Sequence, residues 1–467
     1  MGELRLEKNA LIKWIITCIL PIITYFALPI EGDFYTSQLR SFSVITIFCL
    51  LLIAFELLNI LVIAALLPIL YGLFKVAPFE TIFSPWLSTT IYMILGSFVL
   101  TAILQECGLL NRLAYWLMSK IGNNYYGLIV GIFLVGTILS ILTFGNGYII
   151  MGALCVGLCA SLNFLNTKMA VVIGFSCIIG SVTSKSYIYT ATAYGILKNM
   201  SNGLLDDTVL NQLSIIKVLV DNLPMFFICL FMVLIAAKWY KPNMEKVESK
   251  EYFRSKLQSL GPISREEKIN GILLACVILW MMTTNLHHQS IDYAFMILPY
   301  LAFTPFLNSA SESCFRNVNF SMIFFVVACM SIGTVATSLN FSTAIADMMQ
   351  SLLGGSTNVF TIFLVLFLIV FILNFLLTPL AIWAIITVPV LELAINLGLE
   401  PLPFVYGLLQ TAEAIIFPYE YVPYLVVFSF GMIGMKDFIK LNIMRCTIYV
   451  LGFMILLIPW WKLIGVL

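Results

Sequence analysis

Apolar segments close to the length of a bilayer crossing recur along this chain, and they constrain its fold more than any other feature. A membrane-spanning helix needs about 20 consecutive, mostly apolar residues. Only 10% of the 467 residues are charged, whereas soluble domains carry about 25%. The charged surface is therefore too small for a water-soluble globule. The composition predicts an all-α, polytopic protein of the cell membrane, in contact with the lipid bilayer.

Two of the candidate spans are too long for a single crossing. The apolar segments cover roughly residues 11–29, 42–55, 57–74, 88–105, 127–163, 168–197, 216–237, 270–284, 291–308, 319–338, 358–396, 403–430 and 443–465. The segments 127–163 and 358–396 each contain polar residues or Pro and Gly near the middle. Non-helical backbone is tolerated at membrane depth only where it is buried in protein or lines a cavity. We therefore predict that each of the two segments forms a re-entrant helical hairpin.

One hydrophilic stretch, residues 238–269, divides the chain in half and is rich in Lys and Arg. If this linker is cytoplasmic, most Lys and Arg residues, including Arg445, also fall on the cytoplasmic side, in agreement with the positive-inside rule. The N-terminus is then cytoplasmic as well. The formal net charge of +1 gives no indication of a nucleic-acid partner.

The two halves of the chain repeat one pattern. The stretch "YMILGSFVLTAILQECGLLNRLAYWL" (92–117) is similar to "IFFVVACMSIGTVATSLNFSTAIADMM" (323–349), and each precedes a predicted hairpin and a long span broken by polar residues. The breaks are "SKSYIYT" (184–190) and "PYEYVPY" (418–424). Inverted repeats with discontinuous helices at matching positions are typical of secondary transporters. The spans contain no HExxH, paired-Asp or Ser/His motif, so we do not expect an enzyme.

This pattern also predicts the domain boundaries. We expect scaffold helices at residues 1–87, a first repeat at 88–237, the linker at 238–269, further scaffold helices at 270–318, and a second repeat with the last helix at 319–467. The broken helices fall at about 168–197 and 403–430. The two repeats are inverted relative to each other because an odd number of crossings separates them.

The breaks and the hairpin tips supply the candidate binding residues. Pro418 and Pro423 lack an N–H, so a helix cannot run unbroken through the second break. Free carbonyls at a break can bind cations, and the helix N-termini that face it can bind an anion. The predicted hairpin tips are Thr143–Tyr148 and Asn374–Leu380. The candidate substrate-binding residues are Gly145, Asn146, Gly147, Tyr187, Thr378, Pro379, Tyr421 and Pro423.

Three charged residues lie in the predicted broken spans. Lys185 is in the first break, Glu420 is in the second, and Glu413 shortly precedes it. A charged side chain at the bilayer centre costs about 2.5–3.5 kcal/mol on insertion scales, so we expect these residues to pair and to act in transport. For Glu413, a structural hydrogen bond to a neighbouring helix is an open alternative. The candidate ion-coupling residues are Asn146, Ser184, Lys185, Ser186, Asn374, Glu413 and Glu420.

Three stretches resemble one known family of carriers. They are "IYMILGSFVLTAILQECGLLNRLAYWLMSKIG" (91–122), "GPISREEKINGILLACVILWMMT" (261–283) and "AIIFPYEYVPYLVVFSFGMI" (414–433). The chain resembles, over nearly its whole length, the divalent anion–sodium symporters of the ion transporter superfamily, which include dicarboxylate and citrate carriers. The resemblance implies about eleven crossings, an inverted repeat with two re-entrant hairpins and two broken helices, a homodimer, and an elevator mechanism.

The resemblance also implies a substrate class. The family places a Ser-Asn-Thr motif at each hairpin tip and a Thr-Pro-Pro stretch at each broken helix, with two sodium ions and a carboxylated substrate. Here the first motif becomes Gly145-Asn146-Gly147, and the two stretches become Tyr187-Ile188-Tyr189 and Tyr421-Val422-Pro423. The implied function is secondary active transport of a small di- or tricarboxylate anion. A zwitterionic or inorganic anionic substrate on the same scaffold is the alternative.

The charged residues allow two ways of coupling transport to an ion. Lys185 falls at or beside a position whose backbone lines a sodium site in the family. We hypothesise that its ammonium replaces one bound sodium and pairs with Glu420 or with the substrate. Glu420 would then bind a remaining sodium ion, with Asn146 as a further ligand, or take up a proton. Sodium and protons both stay open as the coupling ion, and no cofactor other than sodium is expected.

Overall fold

The computed structural model describes residues 8–28, 30, 35–55, 57–121, 124–201, 203–205, 213–242, 249–287, 289–354, 356–375 and 377–467. Leu376, in the second predicted hairpin tip, lies outside them. The α-helices of the described residues, in chain order, are Lys8–Ala27 (α1), Ser37–Ala54 (α2), Ile60–Leu73 (α3), Phe79–Phe83 (α4), Thr89–Glu106 (α5), Leu109–Lys120 (α6), Tyr125–Leu142 (α7), Tyr148–Ser161 (α8), Lys168–Ser181 (α9), Ala191–Met200 (α10), Ile215–Asp221 (α11), Leu223–Trp239 (α12), Ser249–Ser259 (α13), Arg265–Met282 (α14), Thr284–His287 (α15), Asp292–Ile297 (α16), Phe320–Ser338 (α17), Phe341–Leu353 (α18), Val359–Asn374 (α19), Pro379–Asn396 (α20), Leu402–Thr411 (α21), Val422–Ser429 (α22), Met435–Gly452 (α23) and Ile458–Leu463 (α24).

Polar capping residues set where several of these helices begin. Thr36, Asn124 and Ser264 each accept a hydrogen bond from a backbone N–H in the first turn of α2, α7 and α14, respectively. Such an N-cap is worth about 1 kcal/mol, because it satisfies a donor that has no partner inside the helix. Ser264 also forms a capping box with Glu267, whose carboxylate accepts from the Ser264 N–H at 2.7 Å. The helices therefore start at the polar residues that separate the apolar runs.

The apolar helices support a membrane protein. Within the described residues, seven helices are long and apolar enough to cross a bilayer, and an eighth span results if the bent pair α11 and α12 is counted as one. Five shorter apolar helices of 10–17 residues, including α8 and α19, fall below that length. Each predicted hairpin thus consists of one longer and one shorter helix, α7 with α8 and α19 with α20. The all-α membrane fold is confirmed, whereas the predicted number of about eleven crossings is not.

The chain divides into two compact units, each assembled from separate stretches. The first unit contains Met1–Ile91, Ile196–Leu205 and Asn319–Leu408, and the second contains Tyr92–Gly195, Asp206–Val318 and Leu409–Leu467. The first predicted hairpin tip consequently belongs to the second unit, and the second tip belongs to the first unit.

In the first unit, one apolar core joins α2, α3 and α17. Its buried members are Leu39, Phe42, Ile45, Cys49, Leu52, Ile63, Leu67, Tyr71, Val76, Ile82, Ile332, Val335 and Ala336. Helix α17 also passes close to α20, since a Cβ on Gly333 would collide with the carbonyl of Ala384. Small residues at such crossings let membrane helices approach closely enough for good van der Waals packing.

In the second unit, α7 and α9 cross in the same manner. A Cβ on Gly180 would collide with the carbonyl of Phe133. Next to this crossing, the Ser140 hydroxyl donates to the carbonyl of Ser181 at 2.9 Å. The residues of α9 from Met169 to Ser181 are all buried. The close crossing therefore fixes the end of α9, where the first predicted break begins.

Arg112 of the second unit fastens the end of the linker to α6. Its Nε lies 2.7 Å from Glu267 Oε1, and its Nη1 donates to the carbonyl of Gly261 at 2.8 Å. Burial opposes ionisation of the Glu267 carboxyl, but the hydrogen bonds from Arg112 and from the Ser264 N–H outweigh it and lower the pKa of Glu267. The start of α14 is therefore held by an ionised carboxylate.

Candidate ion-coupling site

The first predicted break is a short irregular segment in the second unit. Helix α9 ends at Ser181, and a 3-10 turn over Thr183–Ser186 follows. The Ser186 hydroxyl donates to the carbonyl of Thr183 at 2.8 Å. Short polar side chains that bond to the nearby backbone compete with α-helix formation, which accounts for the interruption. The turn places Lys185 inside the unit, with 3% of its surface exposed.

The second predicted break is organised by prolines and by Glu420. Helix α21 ends at Thr411, a 3-10 turn covers Pro418–Glu420, and α22 begins with Pro423 in its first turn. The Glu420 carboxylate accepts from the backbone N–H groups of Ile416 at 3.0 Å and Phe417 at 3.2 Å. Glu420 therefore closes its own turn and is 2% exposed.

Lys185 and Glu413 form an ion pair inside the second unit. The other carboxylate oxygen, Glu413 Oε2, accepts from Arg445 Nη1 at 2.9 Å and from the Tyr424 hydroxyl at 3.0 Å. The Tyr424 hydroxyl lies 2.8 Å from the hydroxyl of Thr183. Glu413 and Arg445 are fully buried. One carboxylate therefore connects the first break, the second break and α23.

The two cations of this cluster are held differently. Arg445 Nε donates to Asn442 Oδ1 at 2.8 Å, and its Nη2 donates to the carbonyl of Ile415 at 2.7 Å. The Lys185 ammonium pairs with Glu413 and lies 4.3 Å from the ring centroid of Tyr421. Arg445 thus forms several hydrogen bonds with protein acceptors, while Lys185 depends mainly on one carboxylate. Together the three charged groups carry one net positive charge.

A second polar hub surrounds Gln410. Its Nε2 donates to the carbonyl of Ser186 at 2.7 Å and to Asn222 Oδ1 at 3.2 Å. Its Oε1 accepts from the hydroxyl of Tyr449. Gln410, Asn222 and Tyr449 are buried. This hub fixes the carbonyl that immediately follows Lys185, so it positions the same turn as the ion cluster.

The first predicted hairpin tip contacts the end of the first break. Gly145 has a φ of +104°, a conformation that glycine adopts without steric cost. The Phe144 carbonyl accepts from the N–H of Ala191 at 3.1 Å. The amide of Asn146 donates to the carbonyl of Thr143 at 3.3 Å, and Gly147 has an ordinary negative φ.

The second predicted tip lies in the first unit, between α19 and α20. Asn374 is buried at the end of α19. Thr378 is the N-cap residue of α20, and its hydroxyl forms no hydrogen bond with the described residues. Pro379 is the first residue of α20, where its missing N–H costs nothing. The structure therefore places these three predicted residues on one connection.

The structure corrects one expectation about the charged residues and adds a buried arginine to them. Lys185 pairs with Glu413 rather than with Glu420, because the Glu420 oxygens accept backbone N–H groups. Arg445 was counted among the cytoplasmic residues, and α23 carries its guanidinium into the buried cluster; the side of the membrane on which it lies stays a prediction. The signal that could have found Arg445 is its position inside the apolar segment 443–465. Gln410, Asn222 and Tyr449 were not anticipated either.

Apolar helices that are interrupted where charged residues are buried define a helical membrane transporter. The family model described as "Citrate transporter" matches residues 50–409, and the chain belongs to the citrate transporter family. The predicted resemblance to anion carriers of the ion transporter superfamily is confirmed. Because the family is one of transporters, the prediction that the chain is not an enzyme is confirmed as well. Of the charged cluster, Lys185 lies within the matched residues, whereas Glu413 and Arg445 follow them.

Two individual proteins that resemble this chain give information on its location and its fold. The inner membrane protein YbhI of Escherichia coli (strain K12) is 25% identical over 236 residues, which are 49% of this chain and 48% of the relative. The match thus spans about half of the relative's length. The structure of Neisseria gonorrhoeae MtrF, described as illuminating a class of antimetabolite efflux pumps, has a TM-score of 0.52, 14% identity and 82% coverage of both chains. That likeness, at 14% identity, shows the fold alone. The predicted membrane location is confirmed by the family and by the inner membrane relative.

Proposed function

We propose that the chain is a secondary active transporter that moves a small citrate-type carboxylate anion across the membrane. Membership in the citrate transporter family carries the proposal. The buried cluster supports it, because Lys185 and Arg445 share one carboxylate and leave a net positive charge. In a low-dielectric interior, such a charge interacts strongly with an anion.

A coupling cation is part of the proposal, and sodium and protons are the two candidates. In the first case, Asn146 and Glu420 contribute oxygen ligands to a sodium ion. In the second case, the Glu420 carboxylate takes up the proton. The position of Glu420 supports a coupling role, because a carboxylate that is 2% exposed inside apolar helices responds strongly to a neighbouring cation.

The remaining predicted contacts are proposed to bind the substrate. In the second unit these residues are Gly145, Asn146 and Gly147 of the first tip and Tyr187, Tyr421 and Pro423 of the breaks; in the first unit they are Thr378 and Pro379 of the second tip. For Tyr187, the hydrogen bond of 2.9 Å between its hydroxyl and that of Thr137 supports a positioning role. A homodimer, a cytoplasmic N-terminus and an elevator movement also belong to the proposal.

The thermal stability of the purified protein tests the substrate class. A ligand that binds the folded state at 100 times its Kd stabilises it by about 2.7 kcal/mol. We expect citrate or a related di- or tricarboxylate to raise Tm, and sulfate and amino acids to leave it unchanged. A rise in Tm with sulfate or an amino acid alone would contradict the proposal and favour the alternative substrate. Repeating the series in sodium and in choline, and at pH values between 5.5 and 8, separates sodium coupling from proton coupling.

A further inference from the structure

The Glu413 carboxylate and the first break supply groups of the kind that bind a monovalent cation. Breaks in membrane helices free backbone carbonyls, and carriers bind dissociable cations at such breaks. The 3-10 turn of the first break also contains Ser184, whose buried hydroxyl forms no hydrogen bond with the described residues. The Lys185 ammonium therefore fills a position at the Glu413 carboxylate, on an interrupted stretch of backbone that also carries a buried hydroxyl.

Charge compensation of Glu413 does not require Lys185. Arg445 contacts the same carboxylate at 2.9 Å and is itself fixed by Asn442 and by the carbonyl of Ile415. Burying the Lys185 ammonium away from water costs several kcal/mol. Arg445 alone already neutralises the Glu413 carboxylate. Lys185 is thus the surplus cation of the cluster, and its burial needs another explanation.

We propose that the Lys185 ammonium is a tethered cation, which occupies at Glu413 the position that a dissociable monovalent cation takes in an ion-coupled carrier. The inference rests on the proposed function, since only a carrier needs a coupling cation. Its consequence is that Glu413 of the wild-type protein binds no sodium. Any coupling ion then binds elsewhere, and the charge at this carboxylate does not dissociate during transport.

Removing the tether exposes the site to small cations. Lys185→Ala leaves a space beside the Glu413 carboxylate that sodium, lithium or methylammonium can enter and choline cannot. We expect Tm of the purified variant to rise by about 2 °C or more when sodium replaces choline at equal ionic strength, beyond any rise in the wild type. The double variant Lys185→Ala with Glu413→Gln should lose this additional response.

A matched control separates the buried pair from ion pairs in general. Lys217 pairs with Asp221 at 3.1 Å in the same unit, but its side chain is 32% exposed. Lys217→Ala should therefore show no additional response to sodium. Equal sodium responses of Lys185→Ala and the wild type would overturn the inference, and so would a response that persists in the double variant.

A second readout covers the case in which Lys185→Ala is too unstable for a melting curve. The fraction of monodisperse protein is then measured after extraction from membranes in sodium and in choline. A larger fraction in sodium, for this variant and not for the double variant, supports the tethered cation, and equal fractions contradict it. Both readouts are measured without a transported substrate. They therefore stay valid even if the protein turns out not to transport a citrate-type anion.

Discussion

The charged groups of Arg445 and Glu413 lie 2.9 Å apart, and both side chains are fully buried although they are 32 residues apart in the sequence. The same carboxylate also pairs with Lys185. Glu413 is therefore the common anion of two cations, one in the first break and one on α23. The order of importance of these three residues for stability follows from that arrangement.

Glu413→Gln should be the most destabilising neutral substitution in the cluster. It leaves both Lys185 and Arg445 without a counter-charge, whereas Lys185→Met leaves the pair of Glu413 and Arg445 intact. An uncompensated buried charge costs about 3–5 kcal/mol, which corresponds to a fall in Tm of about 3–5 °C for a chain of this size. Melting curves of the purified variants give the ranking. A larger fall for Lys185→Met than for Glu413→Gln would show that charge compensation is not the role of Glu413.

Lys185→Met should abolish uptake while the protein remains folded. The substitution keeps a long apolar side chain in the turn but removes the cation that we place at Glu413. Initial rates in reconstituted vesicles measure the effect, and gel filtration verifies the fold. Lys217→Met is the control, because it removes an ammonium from the partly exposed pair with Asp221 and should transport normally. Near-normal transport by Lys185→Met would contradict a role for the ammonium.

Gly180→Ala should destabilise the crossing of α7 and α9. The added methyl group would collide with the carbonyl of Phe133, and overpacking of this kind typically costs about 1–3 kcal/mol. Gly271→Ala in α14 is a suitable control, since the nearest atom, Leu109 Cδ2, lies at an ordinary contact distance of 3.5 Å from the position that its Cβ would take. Tm of the two variants is the measurement. Equal values would mean that the crossing relaxes without loss of packing.

The ion pair of Arg112 and Glu267 should contribute to stability in a pH-dependent manner. Because the pKa of Glu267 is lowered in the folded protein, its contribution is present above the unfolded value of about 4.3. It is lost as the pH falls through the folded pKa. The difference in stability between the wild type and Glu267→Gln should therefore shrink as the pH is lowered below about 5. Chemical unfolding at several pH values measures it, and a difference that grows towards acid pH would refute the assignment.

Much of the fold could be predicted because it depends on local patterns. Apolar runs predicted helices, and the polar and Pro residues at 184–190 and 418–424 predicted the interruptions. Lys185 was identified for the same reason, because a lysine inside an apolar run is costly to bury unless it has a partner.

The partners within the cluster could not be predicted, because they depend on tertiary contacts. Glu420 lies in the second break, yet its carboxylate bonds to its own turn and leaves Lys185 to Glu413. Arg445 was assigned to the cytoplasmic side by counting Lys and Arg residues on each side. Such counting cannot show that α23 buries Arg445 against Glu413, which is 32 residues away in the sequence. Gln410 likewise acquires its role from side chains on other helices.

Uptake of radiolabelled citrate into proteoliposomes tests the central claim most directly. Vesicles containing the purified wild-type protein receive an inward sodium gradient, an inward proton gradient, or no gradient. We predict that citrate accumulates above its external concentration with one of the two gradients, and that vesicles containing Lys185→Met show no uptake. Citrate that only equilibrates, at a rate independent of both gradients, would contradict secondary active transport of this anion.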